Sequence, residues 1–133
     1  MIRVSEHREL LHRMLQDYGL KSEALEIVPD VLGWCRENGI EESNPFRTAK
    51  CFCHWADGTC HIVLVEKISA EQISSAKAAM ECDGLVQEVR GLRTDRQYLV
   101  HLMLHELGCH VLKTTEQRPR DVWAFSEMAR YAA

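Results

Sequence analysis

The residues best suited to do chemistry lie in one apolar stretch. From Tyr98 to Leu112 the chain reads Tyr-Leu-Val-His-Leu-Met-Leu-His-Glu-Leu-Gly-Cys-His-Val-Leu. The run is greasy almost throughout, yet it carries His101, His105, Glu106, Cys109 and His110. Each buried polar group needs a partner, and a metal ion would satisfy several of these together. In a helix, residues four apart share a face. His101, His105 and Cys109 therefore form a stripe, with Glu106 one step round from His105 and His110 one step round from Cys109.

The core of the stretch, His105-Glu106-Leu107-Gly108-Cys109, is one residue away from His-Glu-x-x-His. In that pattern two histidines on a helix ligate zinc and the glutamate is the general base. Cys109 stands where the second histidine would be. A thiolate is a good zinc ligand, although its charge makes a bound water less acidic. His110 would sit about 100° off the ligand face unless the helix carries a local bulge. A catalytic zinc takes three protein ligands and leaves one position for water. His105 and Cys109 supply two. Asp121, inward-facing on the next helix, is the first choice for the third, with Glu127 second and His101 third. Glu106 would then take a proton from the water. The plain alternative assigns these groups to structure: His101 in a buried hydrogen bond, Glu106 paired with Arg93, Arg118 or Arg120, Asp121 at a helix N-terminus and Cys109 as an inert thiol.

The periodicity of the flanking sequence supplies the elements that would hold this site. Thr94 or Asp95 can cap the motif helix, which spans residues 93–113, and Pro119 suits the first turn of a last helix over 119–132. Asp121, Ala124, Phe125, Met128 and Ala132 share one face of that helix. Upstream, residues 1–45 read as helices. Ser5 is expected to cap a first helix stopped by Gly19, and Ser22 to open a second with Leu25, Val28, Val31, Leu32 and Cys35 facing inward, broken or restarted at Pro29. A polar loop covers Glu41 to Pro45. Residues 49–66 form a β-hairpin turning at Asp57-Gly58. Pairing outward sets Trp55 against Cys60, His54 against His61, Cys53 against Ile62, Phe52 against Val63 and Cys51 against Leu64. The face with Cys51, Cys53, Trp55, Cys60, Ile62 and Leu64 is the expected core face. Ser69 with Gln72 resembles a capping box for a helix from Ala70 to about Glu81.

At 133 residues the chain suits a single domain with its own core. The net charge of −4 argues against a non-specific nucleic-acid binder. No apolar run is long enough for a membrane helix, and Met-Ile-Arg-Val-Ser-Glu-His-Arg is not a secretory signal. These features point to a cytoplasmic protein. Six cysteines without a Cys-x-x-Cys pair are then expected to be thiols or metal ligands, not bridges.

In layout the chain resembles compact zincin-like metallopeptidases of the ImmA/IrrE type, on the His105-Glu106-Leu107-Gly108 segment and on Asp121-Val-Trp-Ala-Phe-Ser-Glu-Met128. The resemblance runs from about Ala49 to the C-terminus. It implies an α+β fold, mostly helical, with a small antiparallel hairpin or sheet packed on the motif helix. It also implies Zn2+ as cofactor, an acidic third ligand at Asp121, and a peptide or protein substrate aligned along an edge strand, Cys60 to Val65. Two positions depart from the pattern: Cys109 replaces a histidine, and Asp121 stands where glutamate is usual. The expected activity is a zinc-dependent hydrolase, most simply a peptidase, with Glu106 as base. The competing expectation is an inactive zincin-like module that binds a protein partner or senses metal or redox state.

Overall fold

The computed structural model describes residues 1–40, 50–56 and 58–131, without the side chains of Phe52 and Ala56. The loop expected over Glu41–Pro45, the first hairpin residue Ala49, Asp57 of the turn and Ala132 lie outside the described residues. The chain divides into two compact units, residues 3–68 and Met1–Ile2 with Ser69–Ala133. The whole is α+β, as the sequence predicts.

The first unit begins at Arg3, the last residue of the two-residue strand β1 (Ile2–Arg3), and continues through a 3-10 turn into α1 (Arg8–Asp17). Leu11, Met14 and Leu15 of α1 are buried, as their spacing requires. Ser5 does not cap this helix. Its backbone N–H and hydroxyl both donate to the Glu66 carboxylate, at 3.0 and 2.6 Å. Gly19 follows the helix at φ +81°, a conformation that costs a glycine nothing.

The second predicted helix is where the structure departs most. Leu25–Val28 is a strand, β2, and only Val31–Glu37 is helical, as α2. β2 lies parallel to β4 (Thr59–Val65), with Leu25 opposite Ile62 and Val28 opposite Val65. Pairing with an apolar strand far along the chain overrides a local pattern that reads equally well as helix. Pro29 falls between strand and helix, where its missing N–H is harmless.

The hairpin has the expected register. β3 (Cys51–Ala56) runs antiparallel to β4, with Cys51 opposite Leu64, Phe52 opposite Val63, Cys53 opposite Ile62, His54 opposite His61 and Trp55 opposite Cys60. The strand order β2-β4-β3 makes β4 the central strand. Cys60–Val65 is therefore not an edge, and strand addition of a peptide along it is ruled out by its two ladders. Burial also differs from a one-faced hairpin. Cys51, Cys60, Ile62 and Leu64 are buried as expected, but so are Val63 and Val65 on the opposite face, while Trp55 is 42% exposed. A strand paired on both sides and covered on both faces reads as a continuous apolar run, as Ile62 to Val65 does. β5 (Lys67–Ile68) closes this unit.

The second unit is helical: α3 (Ala70–Cys82), α4 (Val86–Arg90), α5 (Asp95–Leu112) and α6 (Gln117–Glu127), followed by a 3-10 turn over Met128–Tyr131. Capping boxes open α3 and α5. Ser69 accepts from the Gln72 N–H and Thr94 from the Gln97 N–H, each glutamine reaching back to its cap. Every residue of α5 from Tyr98 to Cys109 is buried. A helix enclosed on all sides needs apolar residues all round, which explains a stretch without an amphipathic period. No described helix is long and apolar enough to cross a membrane.

A buried histidine–carboxylate cluster on α5 and α6

α5 and α6 are antiparallel neighbours across a short turn, and Gly108 lets them approach. A β-carbon there would stand 3.3 Å from Arg120 Cγ and 3.4 Å from Trp123 Cε3. The consecutive pair Arg120–Asp121 is thereby set into the polar face of α5, and both residues are buried. These two residues organise the cluster.

Asp121 Oδ1 lies 2.7 Å from His105 Nδ1 and 3.2 Å from His101 Nε2. One carboxylate oxygen therefore bridges two imidazoles one helical turn apart. His101 is also stacked on Phe125, ring centres 4.2 Å apart. Burial alone would raise the Asp121 pKa, but hydrogen bonds from both histidines, and their charges, hold it well below the usual carboxylate range. Burial pushes His101 below its ordinary value, against the pull of Asp121. An ionised carboxylate only accepts hydrogen bonds, so His105 Nδ1 and His101 Nε2 are the donors to Asp121, which leaves His105 Nε2 and His101 Nδ1 as the ring nitrogens turned away from it.

Arg120 governs the other carboxylate. Its Nη2 donates to Glu106 Oε1 at 3.0 Å, its Nε to the His105 carbonyl at 3.0 Å and its Nη1 to the Thr115 carbonyl at 3.2 Å. Glu106 is only 3% exposed, and its Oε1 lies 3.8 Å from His105 Nε2. Two fully buried polar atoms of the cluster have no hydrogen-bond partner, Glu106 Oε2 and His101 Nδ1. Such atoms cost free energy unless something outside the protein satisfies them.

The residues singled out by sequence fall as follows. His101, His105, Glu106 and Asp121 come together. Cys109 is buried one turn beyond His105, but its sulfur is disulfide-bonded. It offers no thiolate here, and the expectation that no cysteine is bridged does not hold for it. Disulfides persist in oxidising surroundings. Glu127, the second choice for that ligand, pairs with Arg130 at 3.4 Å. Of the three arginines considered for Glu106, Arg120 is the partner, while Arg118 donates to the Asp83 carbonyl. The stacking of Phe125 on His101 had no signal in the sequence beyond the shared inward face.

Imidazole and carboxylate are both zinc donors, but as packed here no three of His101, His105, Glu106 and Asp121 bring one ligand atom each within 4.8 Å of one another. The two unsatisfied atoms, Glu106 Oε2 and His101 Nδ1, are open to a further partner. No family model, curated protein or solved structure matched the chain. The zincin-like resemblance therefore stands on the residues alone.

Proposed function

We propose that the chain is a zincin-like metal-binding module whose α5–α6 cluster takes up a zinc ion and converts occupancy into a change in how α6 packs on α5. His105, Asp121 and His101 would hold the ion, with Glu106 beside it. The observation that carries this reading is the shared Asp121 oxygen. The groups that would ligate the ion are the groups that join the two helices. As packed, the ligand atoms of these side chains are spread too far apart to meet one ion, so uptake rearranges the helix contact. A bound zinc would supply Lewis acidity in addition.

Two features favour binding over turnover. Glu106 Oε1 is engaged by Arg120, and His101, His105, Glu106 and Asp121 are all buried. A general base must reach the proton it removes. A hydrolase remains the second reading because Glu106 Oε2 has no partner and lies on the side chain that neighbours His105 Nε2. In that reading Glu106 takes the proton and the substrate is a peptide or protein.

The two readings part on one experiment. The zinc-loaded chain is incubated with a mixed peptide library, beside Glu106→Gln. A sensory module shows no cleavage by either protein, with zinc uptake and its thermal shift retained in Glu106→Gln. Turnover by the parent that is abolished in a Glu106→Gln chain still folded and still taking up zinc would establish the hydrolase and displace the first reading.

A further inference from the structure

A second pair of histidines lies in the other unit and is not used by the α5–α6 cluster. His54 on β3 and His61 on β4 are directly opposed across the hairpin. Their ring centres are 5.4 Å apart and their planes are inclined by 33°. Trp34 of α2 meets His54 edge-on, ring centres 5.3 Å apart. The Trp34 indole N–H donates to Glu26 Oε2 at 2.9 Å. Glu26 lies on β2 opposite Val63, two residues along β4 from His61 and so on the same face of the sheet. Two imidazoles and a carboxylate thus share one face of a three-stranded sheet, each on a different strand.

The opposed rings and the neighbouring carboxylate lead us to propose that His54 and His61 chelate one divalent late transition-metal ion, Cu2+, Ni2+ or Zn2+, with Glu26 adding negative charge at its edge. The ring separation supports this. With metal–nitrogen bonds of about 2.0–2.1 Å and a tetrahedral angle, two imidazole centres sharing an ion stand about 5.2 Å apart. The register supports it as well. Opposed residues of an antiparallel pair keep their side chains together on one face, so the backbone prepays the ordering of both ligands. Imidazole donors select these ions over Mg2+ and Ca2+. A plain aromatic pair can have the same spacing, so the test must discriminate between the two.

Trp34 provides the readout. Cu2+ is titrated into the full chain and into its Asp121→Asn variant, both free of any affinity tag, while tryptophan fluorescence and the Cu2+ paramagnetic resonance spectrum are recorded. In the Asp121→Asn chain, where only the hairpin site is counted, quenching should saturate at one ion, disappear as a signal when Trp34→Phe is added, and be accompanied by nitrogen hyperfine splitting from two imidazoles. His54→Gln and His61→Gln should each weaken binding by about tenfold or more, the effect of losing about 1.4 kcal/mol or more of ligand interaction. Glu26→Gln should weaken it less. Asp121→Asn should leave this site unchanged, so failure here is separable from failure of the α5–α6 reading. Unaltered affinity in both histidine variants, or a parent spectrum without two-nitrogen splitting, would show an aromatic pair only and overturn the proposal.

Discussion

Asp121 is the residue on which the cluster turns, and its protonation state sets a pH dependence. Two groups contribute with the same sign. His101 is held below its ordinary value of 6.5, so the unfolded chain binds more protons than the folded one as pH drops through that value. Asp121 is held below its ordinary 3.8, which adds a second loss at lower pH. Folding stability contributed by the cluster is therefore complete above about pH 6.5 and declines as pH falls, first through His101 and then through Asp121. Urea midpoints at pH 7.5, 5.5 and 4 should fall in that order, and the drop between the first two should vanish in His101→Gln. A midpoint that rises on acidification would contradict the assigned protonation states.

Arg120 and Glu106 form a buried pair 3.0 Å apart. Removing one partner leaves the other charge buried and is expected to cost about 3–5 kcal/mol, whereas removing both costs much less. Arg120→Met should be strongly destabilising, and adding Glu106→Leu should recover most of the loss. Denaturant titrations of the two single variants and the double variant measure this coupling. Additive losses would mean that the pair is not a unit.

The contact between α5 and α6 depends at element scale on the absence of a side chain at Gly108. Gly108→Val would press on Arg120 and Trp123 across a gap of only 3.3–3.4 Å. Overpacking of this kind costs about 1–3 kcal/mol. The expected result is a lower melting temperature together with weakened zinc uptake, because Arg120 and Asp121 move with α6. Unimpaired uptake in a folded Gly108→Val chain would show that the helix spacing does not set the site.

Legibility in the sequence was greatest where local chemistry decides the structure. The capping pair Ser69/Gln72 forms because its partners are three residues apart, whereas the choice of Thr94 over Asp95 for α5, with Gln97 completing the box, comes from the structure. The hairpin register follows from one turn, and Gly58 has the positive φ that such a turn uses. Leu25, Val28, Val31, Leu32 and Cys35 fit a helical period, and the strand partner that makes Leu25–Val28 a strand lies far along the chain. The inward face of α6 put Asp121 near His105, but no spacing rule says that a carboxylate will bridge two rings or that the preceding arginine will take Glu106. The oxidised state of Cys109 likewise depends on three-dimensional proximity, which cysteine spacing does not encode.

At the scale of the whole molecule, zinc uptake by the α5–α6 cluster must appear in global stability, because an ion that binds only the folded chain stabilises it by mass action. The most direct measurement uses tag-free protein carrying His54→Gln and His61→Gln, so that only the α5–α6 cluster is counted. Zinc content after equilibration and the melting temperature are then compared with and without Asp121→Asn. About one zinc per chain is expected, with stabilisation near 2.7 kcal/mol when free zinc is about a hundred times its dissociation constant, and both effects should be lost in Asp121→Asn. A chain that takes up no zinc, or one whose uptake and melting temperature are the same with asparagine at position 121, would contradict a metal centre built on Asp121.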